Sequence, residues 1–155
     1  MTVRRLLLIF SLAGSAALAQ YCDKIDQRDA DAILGGSAMP LSVGAHGCSY
    51  SVRGKGVRLT LMLSDEGATT KAKLDDRKKA TKRSGWFIGE EAGLGGSAYS
   101  ELIRGTTGKC GFVVMKGSKL IEFYVSDSGG KSDLAGRRET LDKLRPIAKR
   151  VIDRI

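Results

Sequence analysis

The sequence predicts an α+β fold: one antiparallel sheet of about five strands with helices packed on one face, in the order α-ββ-α-βββ-α. Three observations carry this. Residues 48–52 and 57–63 alternate apolar and polar with period 2 across Arg53-Gly54-Lys55-Gly56, and residues 110–115 and 119–125 flank the tight Lys116-Gly117-Ser118 signal; both pairs read as antiparallel hairpins. The chain lacks the regular strand–helix–strand alternation that a parallel sheet needs. Its 155 residues, 42% hydrophobic and 28% charged, suffice for one globular domain with a core but not for two.

The chain opens on an address. Arg4 and Arg5 precede Leu6-Leu7-Leu8-Ile9-Phe10-Ser11-Leu12, and small residues end at Ala17-Leu18-Ala19. A charged start, a short apolar centre and an A-x-A site form the pattern of a secretory signal peptide. The apolar run is too short to span a bilayer, which takes about 20 residues. Residues 1–19 are therefore read as a signal peptide and residues 20–155 as a single secreted domain, with cleavage near Ala19 and a secreted or periplasmic destination. The Arg pair is compatible with twin-arginine export but is weak evidence for it, so the export route stays open. Tyr21 stands where lipid attachment at Cys22 would need a small residue. No second apolar run approaches spanning length, so no membrane span is expected. Loss of Arg4 and Arg5 with the leader takes the formal net charge from +9 to +7.

The elements follow in order. Asp26 is placed to cap a helix, Asp29 follows three residues on, Ile25 and Ala30 can form the apolar staple, and Gly35 suits the left-handed C′ position. Residues 37–47 read as loop. In the first hairpin Val57, Leu59, Leu61 and Leu63 share one face. Residues 66–84 predict a helix with a thin apolar stripe of Ala68, Ala72, Leu74 and Ala80. Trp86-Phe87-Ile88 begins a further strand, and Gly93-Leu94-Gly95-Gly96 is a turn. Residues 98–103, 110–115 and 119–125 are strands, and residues 126–131 a polar loop. Leu134, Leu141, Leu144, Ala148, Val151, Ile152 and Ile155 recur at helical spacing, with a kink or break expected at Pro146.

Export favours a disulfide, and Cys22, Cys48 and Cys110 allow three pairings, each leaving one thiol. A Cys22–Cys48 bond would staple the first helix to the sheet, and Cys110 would then be a small buried hydrophobe on a strand. The opening Cys22-x-x-Ile25-Asp26-x-x-Asp29-Ala30-x-Ala32-Ile33-Leu34-Gly35 resembles the C-x-L-L-T-x-x-E-A-x-x-x-L-G start of a group of bacterial secreted proteins and lipoproteins of unknown function. Cys48-Ser49-Tyr50, the Gly93–Tyr99 turn and the Phe112–Gly117 hairpin are similar to that group's later segments, in the same order. Lys24 and Gly96-Ser97 depart from its pattern, so no role of the acidic pair found there carries over. The resemblance implies the Cys22–Cys48 pairing and an extracytoplasmic sensor or binding domain, with no catalytic residues.

The residues offer little chemistry. His46, the chain's one histidine, adjoins Gly47-Cys48, and a Cys-His nucleophile there needs a free thiol. Asp75-Asp76 and Glu90-Glu91 are adjacent acids, and neighbouring residues do not face each other across a substrate as glycosidase carboxylates must. The Gly93 turn lacks phosphate-loop spacing, and no zinc-spaced set or calcium loop occurs. No catalytic residue, cofactor or metal is therefore assigned, and the protein is not expected to be an enzyme. The candidate surface is the basic run Lys71, Lys73, Arg77, Lys78, Lys79, Lys82 and Arg83, seven cations against two acids, supported by Arg137, Arg138, Lys143, Arg145, Lys149, Arg150 and Arg154. Such a run draws anions or is simply a solvated helix face; export and the scarcity of aromatics beside it disfavour nucleic acid. The expected function is an exported, non-catalytic binding or interaction module for an unidentified protein or anionic envelope component. The alternative is a hydrolase of an envelope polymer whose carboxylates converge only on folding.

Overall fold

The computed structural model describes residues 21–103, 108–128 and 134–155; the leader expected at residues 1–19 lies outside them. A seven-stranded antiparallel sheet runs in the spatial order β1-β2-β3-β7-β6-β5-β4. Its strands are β1 (Ala38–Ser42), β2 (Gly47–Val52), β3 (Val57–Asp65), β4 (Phe87–Glu91), β5 (Ser97–Ile103), β6 (Gly108–Lys116) and β7 (Lys119–Asp127). The helices are α1 (Gln27–Leu34), α2 (Thr70–Arg83) and α3 (Leu134–Asp153). The α+β class and the antiparallel pairing stand as expected, but the order is α-βββ-α-ββββ-α and the sheet has seven strands, not five.

One added strand is β1, in the segment read as loop. Glycine, serine and proline in such a stretch would suit a turn, yet Met39 and Leu41 alternate correctly, and Pro40 is tolerated because β1 is an edge strand with one neighbour. The other is β4, the strand expected to begin at Trp86-Phe87-Ile88 but left out of the five-strand order; it runs five residues at the opposite edge, paired to β5 from Phe87↔Leu102 to Glu91↔Ala98.

The helices do not share one face. The main core packs α1 and α3 against Cys48, Tyr50, Leu59, Leu61, Leu63, Phe112, Val114, Ile121 and Phe123. The residues between these point the other way, where Leu74 of α2 packs on Tyr99, Val113 and Leu120. Topology gives the reason. β3 lies inside the sheet, third from one edge, and β4 is at the far edge, so the chain between them crosses over the sheet, and α2 covers the face it crosses. Only Thr70, Leu74 and Thr81 of α2 are buried; Ala68, Ala72 and Ala80, expected as its stripe, are exposed.

α1 ends as its sequence dictates, with Gly35 left-handed at φ 66° and its N–H bonded to Asp31 O. Its start differs. Asp26 is the N-cap residue, but its side chain makes no capping bond; its carboxylate instead accepts from Arg154 at 2.9 Å. Ile25 and Ala30 are both buried. α3 runs through Pro146 without a break; the proline is exposed, so the Asp142 carbonyl it frees can bond water.

Candidate functional site

The basic run lies along α2, and most of its charge is neutralised locally. Lys71 pairs with Asp75 at 2.6 Å, Lys79 with Asp76 at 3.7 Å, Lys73 with Glu66 and Lys78 with Glu90. Within this run, Lys82 and Arg83 form no ion pair among the described residues. Five basic residues in and just after α3 are similarly engaged, Lys143 with Glu139, Arg145 with Glu91 and Asp142, Lys149 with Asp153, Arg150 with Asp29, and Arg154 with Asp26, while Arg137 donates to Ile103 O and Arg138 lies over the Phe87 ring. Five of these ten pairs are i,i+3 or i,i+4 neighbours on one helix, and the other five take their acid from another part of the chain.

Arg77 behaves differently. It points under α2 and donates both guanidinium nitrogens to Glu122 and one of them, at 3.3 Å, to Glu101. Lys109 reaches the same two carboxylates at 2.9 and 3.4 Å and lies 3.9 Å over the Tyr124 ring. The Glu101 side chain is 2% exposed. Burial alone would raise the Glu122 carboxyl, but the Arg77 guanidinium and Lys109 outweigh it and hold it below the usual carboxylate range. Tyr99, buried beside them, is pushed up to about 12 by burial and by the Glu101 charge. Two acids and two bases thus close into a compensated network. It joins β5 to β7 through side chains that straddle Gly111 of β6, and Gly111 leaves no space for a Cβ, which would stand 2.4 Å from Phe123 O.

Sequence reasoning missed Glu101 and Glu122. Alternation in residues 98–103 and 119–125 places them opposite the main core, but nothing local says that α2 covers that face. The adjacent pairs separate as strand and helix geometry requires: Glu90 turns to Lys78 on the α2 side and Glu91 to Arg145 on the α3 side. His46 is exposed at the end of a short 3-10 turn. Cys48 beside it is bonded to Cys22, which removes the Cys-His nucleophile. Cys110 is free and buried, with its thiol pushed up to about 11 by burial against the opposing pull of Arg137. No cluster of three or more His, Cys, Asp or Glu able to hold a metal occurs among the described residues. No helix there is long and apolar enough to cross a membrane.

α2 covers only part of the second face. Over β1, β2 and β3 the sheet is open, leaving Met39 50%, Leu41 42% and Met62 37% exposed, with Val43 beyond the end of β1 also in solvent. Ser49 and Thr60 lie buried among them, their hydroxyls 3.0 Å apart, with Ser49 bonded to Leu59 O. At the hairpin end of this open half is a hollow of about 570 Å3 whose lining includes Met39, Ser51, Arg53, Arg58 and Ser126. Comparison with protein families, with curated proteins and with solved structures finds no match to this chain.

Proposed function

We propose that the protein is an exported, non-catalytic binding module for an anionic component of the cell envelope, and that it binds through the open half of the second sheet face rather than through α2. The observation that carries this is the distribution of unpaired charge. Five of the seven cations in the basic run are held by acids, whereas Arg53 and Arg58 border solvent-facing Met39 in the hollow and form no ion pair among the described residues. An exposed cation without an acid is the one whose field an incoming anion meets unscreened by the protein itself. Export is supported by the leader pattern, by the Cys22–Cys48 bond, and by the resemblance to bacterial secreted proteins.

The convergence of Glu101 and Glu122 on Arg77 favours the hydrolase as a second reading. Glycoside hydrolysis needs one carboxylic acid that keeps its proton near neutral pH. Glu122 is moved in the opposite direction, and Arg77 and Lys109 occupy the positions beside both carboxylates. The chemistry therefore supports an ion network that fastens α2 more than an acid–base pair.

The test is retention of the mature protein on its own envelope fraction at low and high salt. Retention that falls about tenfold in the Arg53→Gln/Arg58→Gln variant, and is unchanged in Lys82→Gln/Arg83→Gln, supports the assignment. The reverse ranking returns the surface to α2. Turnover of an envelope polymer, lost in Glu101→Gln, establishes the hydrolase instead.

A further inference from the structure

We infer that the hollow at the β2–β3 hairpin is a binding site for a tetrahedral oxyanion, by chemical class a phosphate ester. The inference deepens the proposed function, since it names the group through which the anionic partner would be held. Sheet register sets its donors in one line: Met39 pairs with Ser51, Ser51 with Arg58, and Arg58 with Ser126. All four project from the face opposite the main core, because Leu59 and Val125, their neighbours in sequence, are core residues. Strands lie about 4.8 Å apart, so each hydroxyl stands one strand from the Arg58 Cα, on either side. Arg53 opens the hairpin connection and joins the same lining.

None of these donors is spoken for. Arg53, Arg58 and the hydroxyls of Ser51 and Ser126 make no side-chain hydrogen bond or ion pair among the described residues, whereas Lys55, in the same connection, is turned away to Leu34 O and Gly35 O at the end of α1. Asp127 also lines the hollow, but it alternates with Ser126 along β7 and lies equally against the Cys110 cavity on the α3 side. The positive donors therefore face the hollow from the open side and the carboxylate does not share their face.

The frame is fixed before any ligand arrives. Gly54 supplies the left-handed turn at φ 77°, Lys55 N–H bonds to Val52 O at 3.0 Å, and Ser128 ties the tip down by donating its N–H and its hydroxyl to Gly56 O at 2.9 and 3.0 Å. Two guanidinium forks and two hydroxyls offer more donors than the two oxygens of a carboxylate accept, and they match the three free oxygens of a phosphate ester. Met39 at the wall gives the apolar stem of such an ester a surface to lie on.

The experiment is a titration of isotopically labelled mature protein, followed by amide NMR at fixed ionic strength, with inorganic phosphate, with acetate, and with phosphatidylglycerol or phosphatidylcholine vesicles. Expected are saturable phosphate shifts confined to Ser51, Arg53, Arg58, Ser126 and their neighbours. Arg58→Gln should weaken them at least tenfold while the remaining spectrum stays unchanged, and Lys82→Gln/Arg83→Gln should leave them as they are. Phosphate-competed binding of phosphatidylglycerol but not phosphatidylcholine vesicles assigns the group to a lipid headgroup. Phosphate binding without vesicle binding assigns it to a soluble or polymeric ester. Shifts that do not saturate, that spread over α2, or that acetate reproduces equally overturn the inference. Envelope retention that depends on Arg53 and Arg58 in the absence of any phosphate site overturns the ligand class and leaves the proposed function standing; a phosphate site with no envelope retention does the opposite.

Discussion

The cystine joins Cys22, just ahead of α1, to Cys48 in β2, with Cα atoms 5.1 Å apart and a sequence separation of 26. Closing a loop of that size removes chain entropy worth about 3–4 kcal/mol from the unfolded state. Tyr50, two residues on, donates its hydroxyl to Cys22 O and Ile25 O at 3.2 and 3.4 Å, so the same stretch is anchored twice. Cys22→Ala and Cys48→Ala should each lower unfolding stability by about 3 kcal/mol, and the double variant by little more than either. Cys110→Ala should cost about 1 kcal/mol, the loss of a small core group. Denaturant unfolding under non-reducing conditions reads all four. Burial also keeps Cys110 a thiol: native protein at pH 8 should resist alkylation that the unfolded chain accepts at once. The wish of sequence reasoning to see Asp26 as a side-chain cap fails for a reason visible only at this scale. Arg154, far away in sequence, reaches the carboxylate and competes with the α1 backbone for it.

Of the two long helices, α2 has the less holding it. Its one large apolar anchor is Leu74, its N-terminal end is fixed by the Thr70 hydroxyl donating to Ser118 O at 2.8 Å, and its middle by Arg77 in the ion network. α3, by contrast, buries Leu141, Leu144, Ile147, Ala148, Val151 and Ile152. Leu74→Ala should therefore release α2 from the sheet at a cost of about 2–4 kcal/mol. Hydrogen exchange should show α2 amides opening well before those of β3 and β7. Equal protection of α2 and β7 in the variant would show that Arg77 alone suffices to hold the helix. The two hairpins, the left-handed Gly35 and the α3 stripe were legible because each depends on residues within a few positions of one another. The β1 strand was not, because an edge strand with a proline differs from a loop only by having a neighbour to pair with.

Across the whole molecule, three buried acids of high pKa set an alkaline limit. Burial raises Cys110 to about 11 from 9.0 and Tyr99 to about 12 from 10.0, and it raises Tyr50. The folded state then binds more protons than the unfolded state above pH 9, so the stability these groups contribute is complete below that pH and is lost as pH rises through their folded values. Glu122 acts at the other end: its carboxyl lies below the usual 4.5, so its contribution is present at neutral pH and is lost as pH falls through its folded value. Melting temperature against pH should show a plateau between about pH 5 and 9 with a fall on both sides, and Glu122→Gln should flatten the acid limb. A melting temperature still constant at pH 11 would mean that the thiol and the two phenols are better hydrated than their burial implies. The sequence by itself determined what local chemistry determines: the strand and helix periods, the tight turns, the leader pattern and the α+β class. Three pairings were open from the cysteine count, the positions of Cys22 and Cys48 suited a staple and the resemblance implied it, and the structure places those two sulfurs together. Tertiary structure alone decided which cations remain free. Whether a lysine or arginine is spent on an acid depends on partners brought in from other elements, such as Glu122 to Arg77 and Glu91 to Arg145, and on which half of a sheet face a crossing helix happens to cover. Charge runs along a sequence record composition, but the field that a partner meets is set by what the fold has left uncompensated.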